Sequence, residues 1–169
     1  MFDKCTEVTS FSETFSECTI LTTIPEGLFG NCTKVTDFSG VFEFTNIIKV
    51  PANTFATEVV EPDFTQAFFN SKITIVKSGA FNCPNMTRLK QTFLNSSLIT
   101  IEENAFNCPK VTDFYETFSG CLSLQTISKE AFEKCTEVTN FRRTFQGCTS
   151  LQTIPEGLFD YNELSRGVQ

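Results

Sequence analysis

The residues best suited to chemistry in this chain are its eight cysteines, Cys5, Cys18, Cys32, Cys83, Cys108, Cys121, Cys135 and Cys148. Thiols can bridge, bind zinc or attack an electrophile. A zinc site draws on closely spaced Cys and His ligands; here there is no His and no CxxC, and no two Cys lie closer than thirteen positions. Without His the commonest general base is missing, so Ser and Cys nucleophiles of the type that lean on imidazole are excluded. Carboxylates remain: Glu102 and Glu103 are adjacent, and Glu26 and Glu156 recur in PEG. A recurrent PEG is explained by turn geometry, and no Gly-rich phosphate loop is present. We therefore expect no enzyme, and no catalytic, cofactor-binding or metal-binding residues.

The elements that place these thiols are announced by repetition. "CTILTTIPEGLF" (Cys18 to Phe29) returns as "CTSLQTIPEGLF" (Cys148 to Phe159). Stepping from Phe2 gives Phe29, Phe55, Phe81, Phe106, Phe132 and Phe159, at spacings of 25 to 27. Phe15, Phe42, Phe68, Phe93, Phe118 and Phe145 form a second ladder, and Phe11, Phe38, Phe64, Leu89, Phe114 and Phe141 a third. Two aliphatic ladders run beside them, one from Leu21 through Ile47, Ile73, Leu98 and Leu124 to Leu151, the other from Ile24 through Val50, Val76, Ile101 and Ile127 to Ile154. Another, from Val8 through Val35, Met86 and Val111 to Val138, breaks only at Glu61. Twenty Phe beside two Tyr and no Trp are thus a consequence of the period, and rings without a polar handle suit a dry interior.

A unit of this size cannot bury its own apolar face, so stacked copies must bury it against one another. The expected domain is one α/β repeat solenoid over 2–159, with units starting at 2, 29, 55, 81, 106 and 132, about six coils, and a polar C-terminal tail or cap over 160–169. The LxTI stretch before Pro reads as a short strand. VTxFxxTFxxC has apolar residues at i, i+3, i+7 and i+10, which predicts short helical turns, with the Thr after Val admitting a small second strand. A further helical turn is expected from the Pro position through GLFxxC.

The cysteines follow the same period. Cys5, Cys32, Cys83, Cys108 and Cys135 share one slot, in which Glu58 also stands; Cys18, Cys121 and Cys148 share another, with Thr45. Half-cystines need fixed mates, so packed thiols are the expected state; a bridge between stacked neighbours such as Cys83 and Cys108 stays open.

These stretches resemble the leucine-rich repeats of BspA-like bacterial surface proteins. The resemblance is carried by "AFEKCTEVTNF" (Ala131 to Phe141), "TFSGCLSLQTI" (Thr117 to Ile127) and "TIPEGLF" (Thr153 to Phe159), and it covers Phe2 to Phe159. It implies a curved leucine-rich-repeat right-handed superhelix with a parallel sheet on one face. It also implies an extracellular or cell-surface protein engaged in adhesion or host contact, and it transfers no catalytic residue. Phe in place of the usual Met or Ile at VTxF, and the degenerate third unit "FATEVVEPDFTQAF", are its departures.

Candidate ligand-facing residues are the outward sheet positions between the inward aliphatics: Thr22, Thr23, Lys49, Thr74, Thr100, Gln125, Thr126, Gln152 and Thr153. In solenoids the exposed sheet holds side chains in register over a wide area; Thr also belongs there for strand propensity alone. The expected partner is a protein or glycan ligand on another cell or matrix, with a structural spacer of a larger surface protein as the alternative. An ice-binding Thr lattice is a third reading, interrupted by Ile48, Lys49, Ile75 and Gln125. The net charge of −7 with scattered Lys and Arg points away from nucleic acid. No apolar run reaches membrane-span length, and Met1 is followed by "FDKC" without the pattern of a signal peptide. Three Asn-x-Ser/Thr triplets, at Asn31, Asn85 and Asn95, are expected chance occurrences. Because Phe2 is already a ladder residue, a fragment is expected; were the chain complete, its bare first coil would favour end-to-end association.

Overall fold

The computed structural model describes residues 2, 4–55 and 58–160. The tail expected over 160–169 lies, Asp160 apart, outside the described residues.

The second to fifth coils each add one short strand to a parallel sheet: β1 (Lys49–Val50), β2 (Ile75–Val76), β3 (Thr100–Ile101) and β4 (Thr126–Ile127), in the order β1-β2-β3-β4. The register keeps ladder residues opposite one another, with Val50 beside Val76, Val76 beside Ile101 and Ile101 beside Ile127. The sequence predicts such a strand in every coil. The first and last coils form none in this sheet, though the Ile48 amide still donates to the Thr22 carbonyl at 3.3 Å; each of these coils has a described neighbour on one side only. The inward role expected of Ile154 also fails there, since it is 53% exposed.

The Phe ladders become stacks of rings along the solenoid. In the second ladder the steps from Phe68 to Phe93 and from Phe93 to Phe118 are 5.3 and 5.6 Å between centroids, with interplanar angles of 6° and 7°. Rings from different ladders meet edge to face, as Phe81 meets Phe93 at 5.6 Å and 83°. Offset stacks and edge contacts are the arrangements that aromatic quadrupoles prefer. From Phe29 to Phe132 nearly every ring of the three ladders is fully buried, which makes one continuous core.

The predicted helical turns are a correction. Among the described residues there is no helix. The VTxFxxTFxxC segment instead folds as two successive turns of the type II pattern. In the fifth coil the Thr117 amide donates to the Phe114 carbonyl at 3.1 Å, with Glu116 at φ 53°. The Cys121 amide then donates to the Phe118 carbonyl at 3.2 Å, with Gly120 at φ 71°. Intervening amides serve the next coil: Phe114, Glu116, Phe118 and Gly120 donate to the carbonyls of Asn140, Arg142, Thr144 and Gln146 at 2.7 to 3.1 Å. Chained four-residue turns bring apolar residues to one side every three or four positions, which is the spacing of a helix face. The period was real, but its backbone is not helical because half of the amides leave the coil.

Each coil thus needs left-handed residues at fixed places. One column holds Glu13, Gly40, Gln66, Gln91, Glu116 and Arg143, and another Glu17, Phe44, Asn70, Asn95, Gly120 and Gly147, all at positive φ. For a residue with a Cβ this conformation costs about 1–2 kcal/mol, offset by the inter-coil bonds it permits. At Gly120 a Cβ would also meet the Asn95 side chain, which would have to turn aside. The expected second strand after Val reduces to single parallel bridges, Ser10 with Asp37, Asp37 with Asp63, Arg88 with Asp113 and Asp113 with Asn140. At the degenerate third unit Glu61 is exposed, and the pattern resumes where Phe64 stacks on Phe38 at 5.1 Å.

Candidate functional site

The nine outward residues chosen from the sequence fall in two adjacent columns on the sheet. The first runs Thr22, Ile48, Thr74, Ile99, Gln125, Gln152, and the second Thr23, Lys49, Ile75, Thr100, Thr126, Thr153. All twelve are exposed or half-buried, because the aliphatics on either side of them turn inward and anchor the strand. Ile48 is 51% and Ile99 39% exposed. The Thr100 and Thr126 hydroxyls lie 3.4 Å apart, and the Thr74 hydroxyl donates to the Ile48 carbonyl at 3.4 Å. Toward the last coil the face opens into a cleft of about 630 Å³ lined by Gln125, Thr149, Ser150, Gln152 and Thr153. Its lining of amides and hydroxyls can exchange hydrogen bonds in both directions and carries no charge.

The turns hold a second polar surface, which reasoning from the sequence missed. The left-handed column links side chains across four coils: Gln66 Nε2 donates to Gln91 Oε1 at 3.3 Å, Gln91 Nε2 to Glu116 Oε2 at 2.8 Å, and an Arg143 guanidinium nitrogen to Glu116 Oε1 at 3.2 Å. The Gln91 amide, with Tyr115 and Arg143 beside it, holds the Glu116 carboxyl below the usual range against the opposing effect of burial. Next to it the Tyr115 ring lies between Lys90 and Arg142, 6.0 and 5.9 Å from its centroid. The signal for this surface was available: the columns beside the Phe11 and Phe15 ladders could have been read down the period as the ladders themselves were.

A third column, one residue before this edge's turns, caps their amides. Asp37 Oδ1, Asp113 Oδ1 and Asn140 Oδ1 accept from the amides two residues on, at 3.0, 2.7 and 2.9 Å. Burial acts to raise the Asp37 carboxyl, but hydrogen bonds from Ser39 and Ser10 outweigh it and leave it below its ordinary value.

The thiols face the interior. Cys5, Cys18, Cys83, Cys108, Cys121, Cys135 and Cys148 are free, and Cys32, Cys83, Cys108, Cys121, Cys135 and Cys148 are buried. Cys121 and Cys148 donate to the Phe93 and Phe118 carbonyls one coil back, at 3.2 and 3.1 Å; Cys108 and Cys135 donate likewise to Phe81 and Phe106, at 3.5 and 3.6 Å. The slot of Cys121 is filled in other coils by Thr45, Ser71 and Ser96, so it selects a small donor rather than a half-cystine. Burial pushes the thiols of Cys83, Cys121 and Cys135 up to about 12, and that of Cys108 well above its ordinary value. Such thiols are poor nucleophiles at neutral pH. Among the described residues no group of three or more His, Cys, Asp or Glu is placed to hold a metal.

In-register strands, inward aliphatic residues at each, and a small-donor slot between coils define a leucine-rich repeat solenoid. Residues 49–166 match the family described as BspA type leucine-rich repeat region (6 copies), and the chain belongs to that family. Solved structures with likeness to it include a leucine-rich repeat protein from Bacteroides ovatus, at 19% identity over 86% of this chain and 52% of that one, with a TM-score of 0.25. Another is a leucine-rich cell surface protein from Faecalibacterium prausnitzii, at 19% identity over 95% of this chain and 70% of that one, with a TM-score of 0.20. The chain thus spans about half the length of the Bacteroides protein. No curated protein matches it.

Proposed function

We propose that this solenoid is a non-enzymatic binding module of a secreted or surface-attached protein, and that it meets a protein ligand through the two sheet columns. The observation that carries this reading is the contrast within each strand: the inward positions repeat Leu, Ile and Val, whereas the outward ones change from Thr to Ile, Lys and Gln in successive coils. A spacer has no reason to diversify one face while its interior is held constant. Exposed Ile48 and Ile99 with Lys49 between coils supply the mix of apolar anchors and polar rim that protein interfaces use. The curved, right-handed superhelix and the cell-surface or extracellular location belong to the same proposal, supported by the family and by the printed description of the Faecalibacterium protein as a cell surface protein.

The test is surface capture. The purified protein is offered to intact cultured cells and to immobilised matrix proteins, beside a variant carrying Lys49→Glu, Thr100→Arg and Gln125→Arg. Saturable binding reduced at least about tenfold in the variant is expected, the effect of placing unpaired charges in an interface core. Equal binding by both proteins, or none by the parent, rejects the reading.

A further inference from the structure

The turn edge is charged unevenly along the solenoid. It comprises residues 10–17 and their counterparts 37–44, 63–70, 88–95, 113–120 and 140–147. In the first three coils it carries Glu13, Glu17, Asp37, Glu43 and Asp63 and no Lys or Arg; in the last three it carries Arg88, Lys90, Arg142 and Arg143 with Asp113 and Glu116. The two carboxylates of the basic half are engaged internally, Asp113 by the Asn140 amide at 2.8 Å and Glu116 by Gln91 and Arg143. Arg88, Lys90, Arg142 and Arg143 are exposed, as are Glu13, Glu17 and Asp63. A protein of net charge −7 has thus gathered three of its four arginines on one half of one edge. This edge is distinct from the sheet columns and is not needed by the binding proposed for them.

We propose that this edge docks a second copy of the chain, laid antiparallel about a two-fold axis, so that the acidic half of each copy faces the basic half of the other. A two-fold interface must be self-complementary, and an edge with opposite signs at its two ends meets that condition. In this register the first coil faces the sixth, setting Glu13 and Glu17 against Arg142 and Arg143, and the third faces the fourth, setting Asp63 against Arg88 and Lys90. The second and fifth coils oppose carboxylates. There each already has a donor: Asp37 has Ser39 and Ser10, Glu43 has Ser16 at 2.7 Å, and Asp113 and Glu116 have those named above. Six coils about 4.8 Å apart give a ridge roughly 30 Å long, so the contact is below the area of a standard interface. The dimer is therefore weak, transient and screened by salt.

Sedimentation equilibrium of the protein at ~0.01 M and ~1 M salt, where the screening length falls roughly tenfold, reads this directly. Dimerisation weakened at least about tenfold by salt is expected. Two variants sharpen it: Glu13→Lys with Glu17→Lys, and Arg142→Glu with Arg143→Glu. Each alone should be monomeric, because both of its contacts between first and sixth coils would oppose like charges. An equimolar mixture should form a heterodimer, since both contacts are then complementary again, and that recovery also shows that both variants are folded. A monomeric parent at low salt, association indifferent to salt, dimers of either variant alone as end-to-end stacking would leave, or a mixture without recovery overturns the proposal. So does a parent that stays monomeric while binding a poly-glutamate peptide through the basic half.

Discussion

Two columns of this solenoid lie a few residues apart in every coil and vary by different rules. Behind the strands, Cys18, Thr45, Ser71, Ser96, Cys121 and Cys148 exchange only among small side chains that carry a hydrogen-bond donor; in front of them, Thr22, Ile48, Thr74, Ile99, Gln125 and Gln152 exchange size, polarity and branching. In the inner column Cys121 and Cys148 donate to a buried carbonyl of the coil before them and Thr45 to one of its own coil, and a carbonyl left bare inside costs about 1–3 kcal/mol. The outer column meets water and carries no such obligation. Invariance in a repeat thus reports the stacking, and information about a partner is confined to the positions the stacking leaves free.

The largest consequence is alkaline lability. If the inner thiols are held neutral by burial, the fold opposes an ionisation that the unfolded chain undergoes near pH 8.5. A raised folded pKa contributes stability that is complete below the unfolded value and is lost as pH rises toward the folded one. With Cys83, Cys121 and Cys135 at about 12 and Cys108 well above its ordinary value, the window runs from about pH 8.5 to about 12. One unit into it, each thiol costs about 1.4 kcal/mol, and the four together about 5 kcal/mol. Urea unfolding at pH 7.5 and 9.5 measures this, and Cys121→Ser, which imitates Ser96, should flatten the dependence by one thiol's share. Equal stability at the two pH values would show thiols that ionise in place despite their burial.

Next in size is the ring stack. Phe93 is fully buried between Phe68 and Phe118 and touches Phe81 and Phe106 at their edges. Replacing it with Ala should cost about 3–5 kcal/mol, whereas Thr100→Ala on the outer face should stay within about 0.5 kcal/mol. Denaturant midpoints of the two variants give the ratio directly; comparable losses would mean that the sheet face is structural too.

How much of this was legible depends on which physical constraint left a mark on residue type. Ring stacking did, because only Phe fills those slots, so Phe29, Phe55 and Phe81 announced both the solenoid and its register. The outward sheet columns followed from the aliphatics that flank them. The turns did not announce themselves. A left-handed residue is usually betrayed by Gly or Asn, yet here several of the positions are held by Gln66, Gln91, Glu116 and Arg143, whose side chains bond along the stack, and the four-residue turn imitates a helical period. The Gln66 to Arg143 chain was hidden for the same reason. Its members are ordinary surface residues until the register places them side by side.

The smallest effect discriminates most finely, because its sign is unusual. Ser71 lies in the inner column with its hydroxyl buried, and among the described residues that hydroxyl has no hydrogen-bond partner. The carbonyl corresponding to those used by Cys121 and Cys148 is that of Phe42, and it already accepts from the Thr45 hydroxyl at 2.7 Å. One coil on, Ser96 meets the Cys121 thiol at 3.4 Å. Removing a buried polar group that has no partner recovers its desolvation cost, whereas removing one that has a partner forfeits the bond. Ser71→Ala should therefore raise stability by about 1 kcal/mol, and Ser96→Ala should lower it by about the same amount. Paired denaturant titrations decide between two accounts of the column. Opposite signs mean that each coil is satisfied or frustrated according to its own neighbour, whereas losses in both mean that the hydroxyl at Ser71 has a use that the carbonyl count does not capture.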